Sequence, residues 1–99
     1  MALSALELTS ELVRIDTINP PGNEVAGARY LADLLASAKI AGQVFESEPG
    51  RGNLYARLPG DGDRPPIVLL SHIDVVPVDP EKWKYPPMTG IVTSGYVYG

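Results

Sequence analysis

The sequence predicts a layered α/β fold, and three observations support this class. Two stretches near the N-terminus carry apolar residues at helical spacing. Two short strand patterns separated by turn residues follow at 43–47 and 53–58. The run 67–70, Ile-Val-Leu-Leu, is apolar at every position, which is typical of a strand covered on both faces. We therefore expect 67–71 to be an interior strand with a neighbouring strand on each side.

The first helix is expected over residues 4–15. Ser4 and Glu7 have the spacing of a capping box, in which each side chain accepts a hydrogen bond from the other residue's backbone N–H. The apolar residues at helical spacing are Leu8, Leu12 and Ile15. The helix cannot continue through the Pro-Pro-Gly turn at 20–22, because Asn19 precedes a proline and is pushed out of the α conformation.

The second helix is expected to begin after Asn23, as its cap, and to end before Gly42. After the strand at 67–71, Asp79 and Glu81 are expected to start a short helical turn. The last predicted element is a hairpin of strands Ile91–Thr93 and Tyr96–Tyr98, which turns at Ser94-Gly95.

The composition excludes several classes of function. The net charge is −4 and the basic residues are scattered, so the chain lacks the clustered cations that bind nucleic acid. The absence of cysteine excludes disulfides and thiolate metal sites and suits the cytoplasm. The N-terminus has no basic signal-peptide region, and the run 67–70 is too short to span a bilayer. We expect a soluble cytoplasmic protein without a nucleic-acid or membrane partner.

The candidate site is His72-Ile73-Asp74, which follows the apolar run and contains the only histidine. Side chains two residues apart on a strand point to the same side, so His72 and Asp74 should emerge together at the carboxyl end of the strand. Asp74 can accept a hydrogen bond from one imidazole nitrogen and leave the other nitrogen free for a metal. The spacing also permits a second interpretation, in which Asp74 makes only a structural hydrogen bond to His72 or caps the turn at Val76-Pro77.

Several segments together resemble one enzyme family. They are, in chain order, "LVRIDTINPPGNE", "GRGNLYARLPG", "SHIDVVP", "EKWKYPPMTG" and "SGYVYG". In this arrangement the chain resembles the opening portion of the di-zinc amidohydrolases and exopeptidases, the family of acetylornithine deacetylase, succinyl-diaminopimelate desuccinylase, aminoacylase and glutamate carboxypeptidase. The departures are Ser71, where glycine is frequent, and Met88, where an aromatic residue is common. They bear on the subfamily more than on the chemistry.

The resemblance implies a fold and a site. Residues 1–99 would be the N-terminal part of one layered α/β catalytic domain of the zinc-peptidase kind, with a mixed, largely parallel central sheet. His72 resembles the first zinc-ligating histidine, and Asp74 resembles the catalytic-site carboxylate that orients that imidazole. Two zinc ions are implied for the whole protein, with Co²⁺ or Mn²⁺ as alternatives. The bridging aspartate, the glutamate base and the other ligands would lie beyond Gly99.

The resemblance also implies a function: hydrolysis of an amide or peptide bond of an N-acyl amino acid or small peptide by a zinc-activated water. The 99 residues alone are expected to be inactive. The alternative is a non-catalytic α/β domain or interaction module in which His72 and Asp74 form a structural hydrogen bond. The acyl group and the oligomeric state stay open, a homodimer being one alternative for the whole protein.

Overall fold

Two helices and two small sheets make up the structure, a computed structural model that describes residues 2–99. In chain order the elements are α1 (Ala5–Val13), α2 (Glu24–Ser37), β1 (Gly42–Glu48), β2 (Arg51–Ala56), a 3₁₀ turn (Pro80–Lys82), β3 (Ile91–Thr93) and β4 (Tyr96–Tyr98). This content confirms the α/β class. Both sheets of the described part are antiparallel pairs, β1 with β2 and β3 with β4.

Helix α1 begins with the predicted capping box. Ser4 Oγ accepts from the backbone N of Glu7 at 3.2 Å, and the Glu7 carboxylate accepts from the backbone N of Ser4 at 2.8 Å. The helix ends at Val13, two residues before the predicted end. The N–H groups of Arg14 and Ile15 donate to carbonyls three residues back, which tightens the last turn and ends the α-helix.

Helix α2 begins after Asn23, which occupies the predicted cap position, but the side chain of Asn23 makes no capping hydrogen bond. The one hydrogen bond that this side chain makes runs from its amide Nδ2 to the backbone oxygen of Asp16, at 3.2 Å. The helix ends at Ser37, before Gly42 as predicted. Lys39 then adopts a left-handed conformation with φ 62°, and the N–H of Ile40 donates to the Leu35 carbonyl.

The small core lies between α2 and the β1–β2 hairpin. Its buried apolar residues are Val25 and Ala28 of α2. The close approach requires Gly52 on β2, because a Cβ there would lie 2.8 Å from Cα of Val25. A larger residue at this position would push the helix away from the hairpin.

The C-terminal hairpin has the predicted bounds and turn. Ser94 and Gly95 at the turn have φ of 52° and 81°, the two positive values that a tight hairpin turn of the mirror-image type requires. The segment before β3 is joined to α1 by a hydrogen bond of 2.5 Å from Ser10 Oγ to the Gly90 carbonyl. The short helical turn is also confirmed, with Asp79 accepting from the N–H of Glu81.

The prediction of an interior strand at 67–71 is wrong for this structure. No strand is assigned there, and Ile67, Val68, Leu69 and Leu70 are 84–93% exposed. The physical reason is that a strand needs hydrogen-bonding neighbours, and the strands of residues 2–99 pair in two local hairpins elsewhere. The apolar residues at 67–70 indicate that both faces of this segment can be buried. Burial also requires strands or helices that cover the segment.

Candidate metal site at His72 and Asp74

The site lies on a short segment that is fixed to the loop before α2. Ile18 and Val75 form a parallel bridge. Around it the N–H of Asn19 donates to the Val75 carbonyl at 2.8 Å, and the N–H of Val75 donates to the Thr17 carbonyl at 3.2 Å. The buried hydroxyl of Thr17 adds a third bond, to the Ile73 carbonyl at 2.6 Å. Three hydrogen bonds therefore hold residues 73–75 against residues 17–19, although more than fifty residues separate the two segments along the chain.

Ile73 packs against helix α2 at a glycine. A Cβ at Gly27 would lie 2.9 Å from the Ile73 Cδ1 atom, so this glycine allows the side chain to approach the helix. His72 and Asp74, the residues on either side of Ile73, meet each other instead. The alternation predicted from the sequence is thus present locally, without an extended strand around it.

The His72 ring and the Asp74 carboxylate are hydrogen-bonded. Nδ1 of His72 lies 2.8 Å from Oδ1 of Asp74 and 3.1 Å from the Asp74 carbonyl. Because an ionised carboxylate and a carbonyl only accept, Nδ1 carries the proton and donates. Nε2 is then the nitrogen with the free lone pair, and it makes no hydrogen bond within residues 2–99.

The second oxygen of Asp74 is also bonded. Its Oδ2 accepts from the side-chain amide of Asn19 at 3.2 Å. The hydrogen bond from Asn19, followed by the one from His72, lowers the pKa of Asp74 below its ordinary value. The carboxylate is therefore ionised at neutral pH and keeps the role of acceptor. The Asp74 side chain is 32% exposed and the His72 side chain 85%, so the imidazole projects from a partly covered carboxylate.

A partly buried ion pair lies in the concavity that His72 and Asp74 also line. Glu24, the first residue of α2, is buried and accepts from Nε of Arg51 at 2.8 Å. Its other oxygen, Oε1, has no hydrogen-bond partner in the described structure. Both residues line the concavity together with His72 and Asp74.

Sequence analysis missed three of these residues, Asn19, Glu24 and Arg51. In the sequence Asn19 stands out only as the residue before a proline, because nothing local indicates that its amide meets Asp74. The Glu24–Arg51 pair joins a helix start to a strand that lies 27 residues later. Polar residues beside the Pro-Pro-Gly turn were the only available signal.

The described residues fit one metal ligand and the group that orients it. His72 offers Nε2, and Asp74 fixes the tautomer that leaves this nitrogen unprotonated. No cluster of three or more His, Cys, Asp or Glu side chains able to hold a metal occurs within residues 2–99. Since zinc sites use three or four protein ligands, this arrangement fits a metal whose other ligands come from outside these residues.

Neither helix of residues 2–99 has the length and the hydrophobicity that a membrane-spanning helix needs.

The chain is similar over nearly all its length to bacterial desuccinylases. It is 38% identical over 101 residues to the succinyl-diaminopimelate desuccinylase of Methylobacterium sp. (strain 4-46), covering 97% of this chain and 24% of that protein. It is 38% identical over 100 residues to the same enzyme of Delftia acidovorans, covering 95% and 25%. An N-fatty-acyl-amino acid synthase/hydrolase of Xenopus tropicalis is 40% identical over 68 residues, 62% of this chain and 13% of that protein.

The matched relatives are desuccinylases and an N-fatty-acyl-amino acid synthase/hydrolase. The chain belongs to the amidohydrolase and exopeptidase family of succinyl-diaminopimelate desuccinylase. The resemblance found in the sequence is thereby confirmed. No family model matches the chain. It spans about a quarter of the length of the desuccinylases that it matches.

Proposed function

We propose that the whole protein containing this chain is a metal-dependent hydrolase that cleaves the amide bond of an N-acyl amino acid or small peptide. The observation that carries this proposal is the 38% identity to a succinyl-diaminopimelate desuccinylase across 97% of the chain. The alignment covers 24% of the relative, which supports the proposal that residues 1–99 form one part of a catalytic domain. The order of the motifs in the sequence favours its N-terminal portion. Nothing in the comparisons favours the alternative of a non-catalytic module.

In this proposal His72 is a metal ligand through Nε2 and Asp74 is the carboxylate that positions it. Asp74 stays ionised and keeps the proton on Nδ1, which leaves Nε2 as the nitrogen that can bind a metal. A bound zinc ion would supply Lewis acidity, lowering the pKa of a water and polarising the amide carbonyl. Two zinc ions are proposed for the whole protein. Imidazole also suits related divalent metals, so Co²⁺ or Mn²⁺ are the expected substitutes.

We also propose that residues 67–71 become an interior strand of a largely parallel sheet in the whole protein. The support is the exposure of four consecutive large apolar side chains, a patch that soluble proteins normally cover. Apolar residues at every position suit a strand covered on both faces. His72 would then follow the carboxyl end of that strand, where α/β sheets bind their ligands.

The proposed partner is a small acylated amino acid. The relatives are a desuccinylase and an N-fatty-acyl-amino acid synthase/hydrolase, so the two acyl classes to compare are a short dicarboxylic acyl group and a long alkyl chain. A nucleic-acid partner does not suit a chain with net charge −4 and scattered basic residues. The absence of cysteine supports a cytoplasmic location.

The test is an assay of the purified whole protein on N-succinyl, N-acetyl and N-fatty-acyl amino acids, before and after metal removal. We expect hydrolysis of at least one acyl class, its loss with a chelator and its return with zinc. A matched protein carrying His72→Ala should not recover with zinc. Turnover that survives complete metal removal would contradict the proposal, and so would no hydrolysis of any acyl class by zinc-loaded protein.

A further inference from the structure

We infer that Asn19 is a positioning residue of this site: its side-chain amide holds the Asp74 carboxylate in the orientation that in turn holds His72. This inference rests on the proposed function, because it concerns the same histidine. It adds a residue that neither the histidine-aspartate spacing nor the family resemblance singled out. The observation behind it is the 3.2 Å hydrogen bond from Asn19 Nδ2 to Asp74 Oδ2.

Backbone hydrogen bonds fix the position of Asn19. Its N–H donates to the Val75 carbonyl at 2.8 Å, so its backbone is bonded to the residue that follows Asp74. The turn after it is closed by a 2.7 Å bond from the N–H of Gly22 to the Ile18 carbonyl. The amide therefore reaches Asp74 from an anchored backbone, with only two side-chain torsions left to set.

The hydrogen bonds at Asp74 are complementary. The carboxylate offers two acceptor oxygens, and each has one donor: His72 Nδ1 for Oδ1 and Asn19 Nδ2 for Oδ2. The terminal torsion of an aspartate is broad, so a single hydrogen bond leaves the carboxylate free to rotate. With a donor on each oxygen the plane of the carboxylate is defined, and with it the direction of the imidazole.

The amide at position 19 and the carboxylate at position 74 can be exchanged, because the side chains of Asn and Asp have nearly the same shape. Asn19→Asp alone places two carboxylates against each other. Asp74→Asn alone removes the carboxylate charge and places two amides against each other, one of which must rotate so that its N–H faces the oxygen of the other. The double variant restores one donor and one acceptor between the two positions, and the amide oxygen at position 74 can still accept from His72.

The experiment is a double-mutant cycle in the whole protein, with zinc affinity measured by competition with a chelator. We expect each single variant to weaken zinc binding about tenfold or more, the range usual for partners of a metal-bound histidine. The double variant should bind zinc more tightly than the product of the two single effects predicts. A zinc-free measurement, the ¹⁵N NMR spectrum of the His72 ring, should show the Nδ1-protonated tautomer in the wild type and a mixture of tautomers in Asn19→Ala.

Asn23→Asp is the matched control. It makes the same change four residues away, where the amide bonds only the Asp16 carbonyl, and should leave zinc affinity unchanged. Asn19→Ala serves in the same assay if Asn19→Asp does not fold. The inference is overturned if the Asn19 variants bind zinc as the wild type does, or if the two single effects simply multiply. The His72→Ala variant separates the two proposals. If its zinc affinity is unchanged, the proposed metal site is refuted. If His72→Ala weakens zinc binding and the Asn19 variants do not, only the role of Asn19 is refuted.

Discussion

Replacing Asp74 by alanine in the whole protein removes the carboxylate that holds the His72 ring. The hydrogen bond to Nδ1 is 2.8 Å long, and the His72 side chain is otherwise 85% exposed in this chain. The His72 ring therefore has no packing within residues 2–99 that could replace the lost hydrogen bond. Outer-shell partners of this kind contribute on the order of 10–100-fold to metal affinity or activity. This corresponds to about 1.4–2.7 kcal/mol, and we expect Asp74→Ala to lie in the upper half of that range.

The assay measures zinc affinity and turnover of the same preparations. Asp74→Asn should lose less than Asp74→Ala, because an amide oxygen can still accept from Nδ1. Asp63→Ala, which removes an exposed carboxylate in the loop before the apolar run, is the control and should behave as the wild type does. If Asp74→Ala keeps both its zinc affinity and its rate, Asp74 does not orient His72 and our account of the site is refuted.

Three further predictions concern the folded chain. Gly90→Ala should lower the melting temperature more than Gly95→Ala. Both glycines have positive φ, which costs other residues about 1–2 kcal/mol, but only a Cβ at Gly90 would overlap the Ser10 backbone. Hydrogen bonds from the backbone and the side chain of Ser4 lower the pKa of Glu7 in the folded chain. The capping box should therefore stabilise the fold above the pKa that Glu7 has in the unfolded chain. This stability should be lost as the pH falls through the lower pKa of the folded chain. Glu7→Gln should remove that pH dependence, and melting curves across the acidic range would test it. Residues 1–99 alone should show neither tight zinc binding by calorimetry nor hydrolysis, since they supply one ligand where zinc sites use three or four; stoichiometric submicromolar binding would contradict this.

Local sequence patterns predicted those parts of the structure whose bonds are local. The capping box of α1 joins residues three apart, and the hairpin turn at Ser94-Gly95 depends on the conformations of two adjacent residues. The contact between His72 and Asp74 belongs to the same group, because residues two apart on an extended segment share one side. In each case the sequence contains both partners of the interaction within a few positions.

The errors fall where the deciding partner is distant. Residues 67–71 have the composition of a covered strand, but strand formation depends on neighbours that the pattern cannot specify. The Asn23 side chain bonds a carbonyl seven residues back instead of capping its helix. Asn19 and Asp74 meet across 55 residues of chain, through a parallel bridge that no local pattern indicates. Both errors therefore concern long-range contacts. Residues 67–71 lack the neighbouring strands that their composition implies, and Asn19 reaches the site through a contact with a distant part of the chain.

The most direct test of the central claim is the zinc content of the whole protein with and without His72. Elemental analysis of the wild type and of His72→Ala, purified in parallel and assayed on the same acyl amino acid, supplies it. If His72 is a metal ligand, the variant should retain one zinc ion fewer per chain than the wild type and should lose hydrolysis. A His72→Ala protein with the full zinc content and undiminished turnover would contradict the claim.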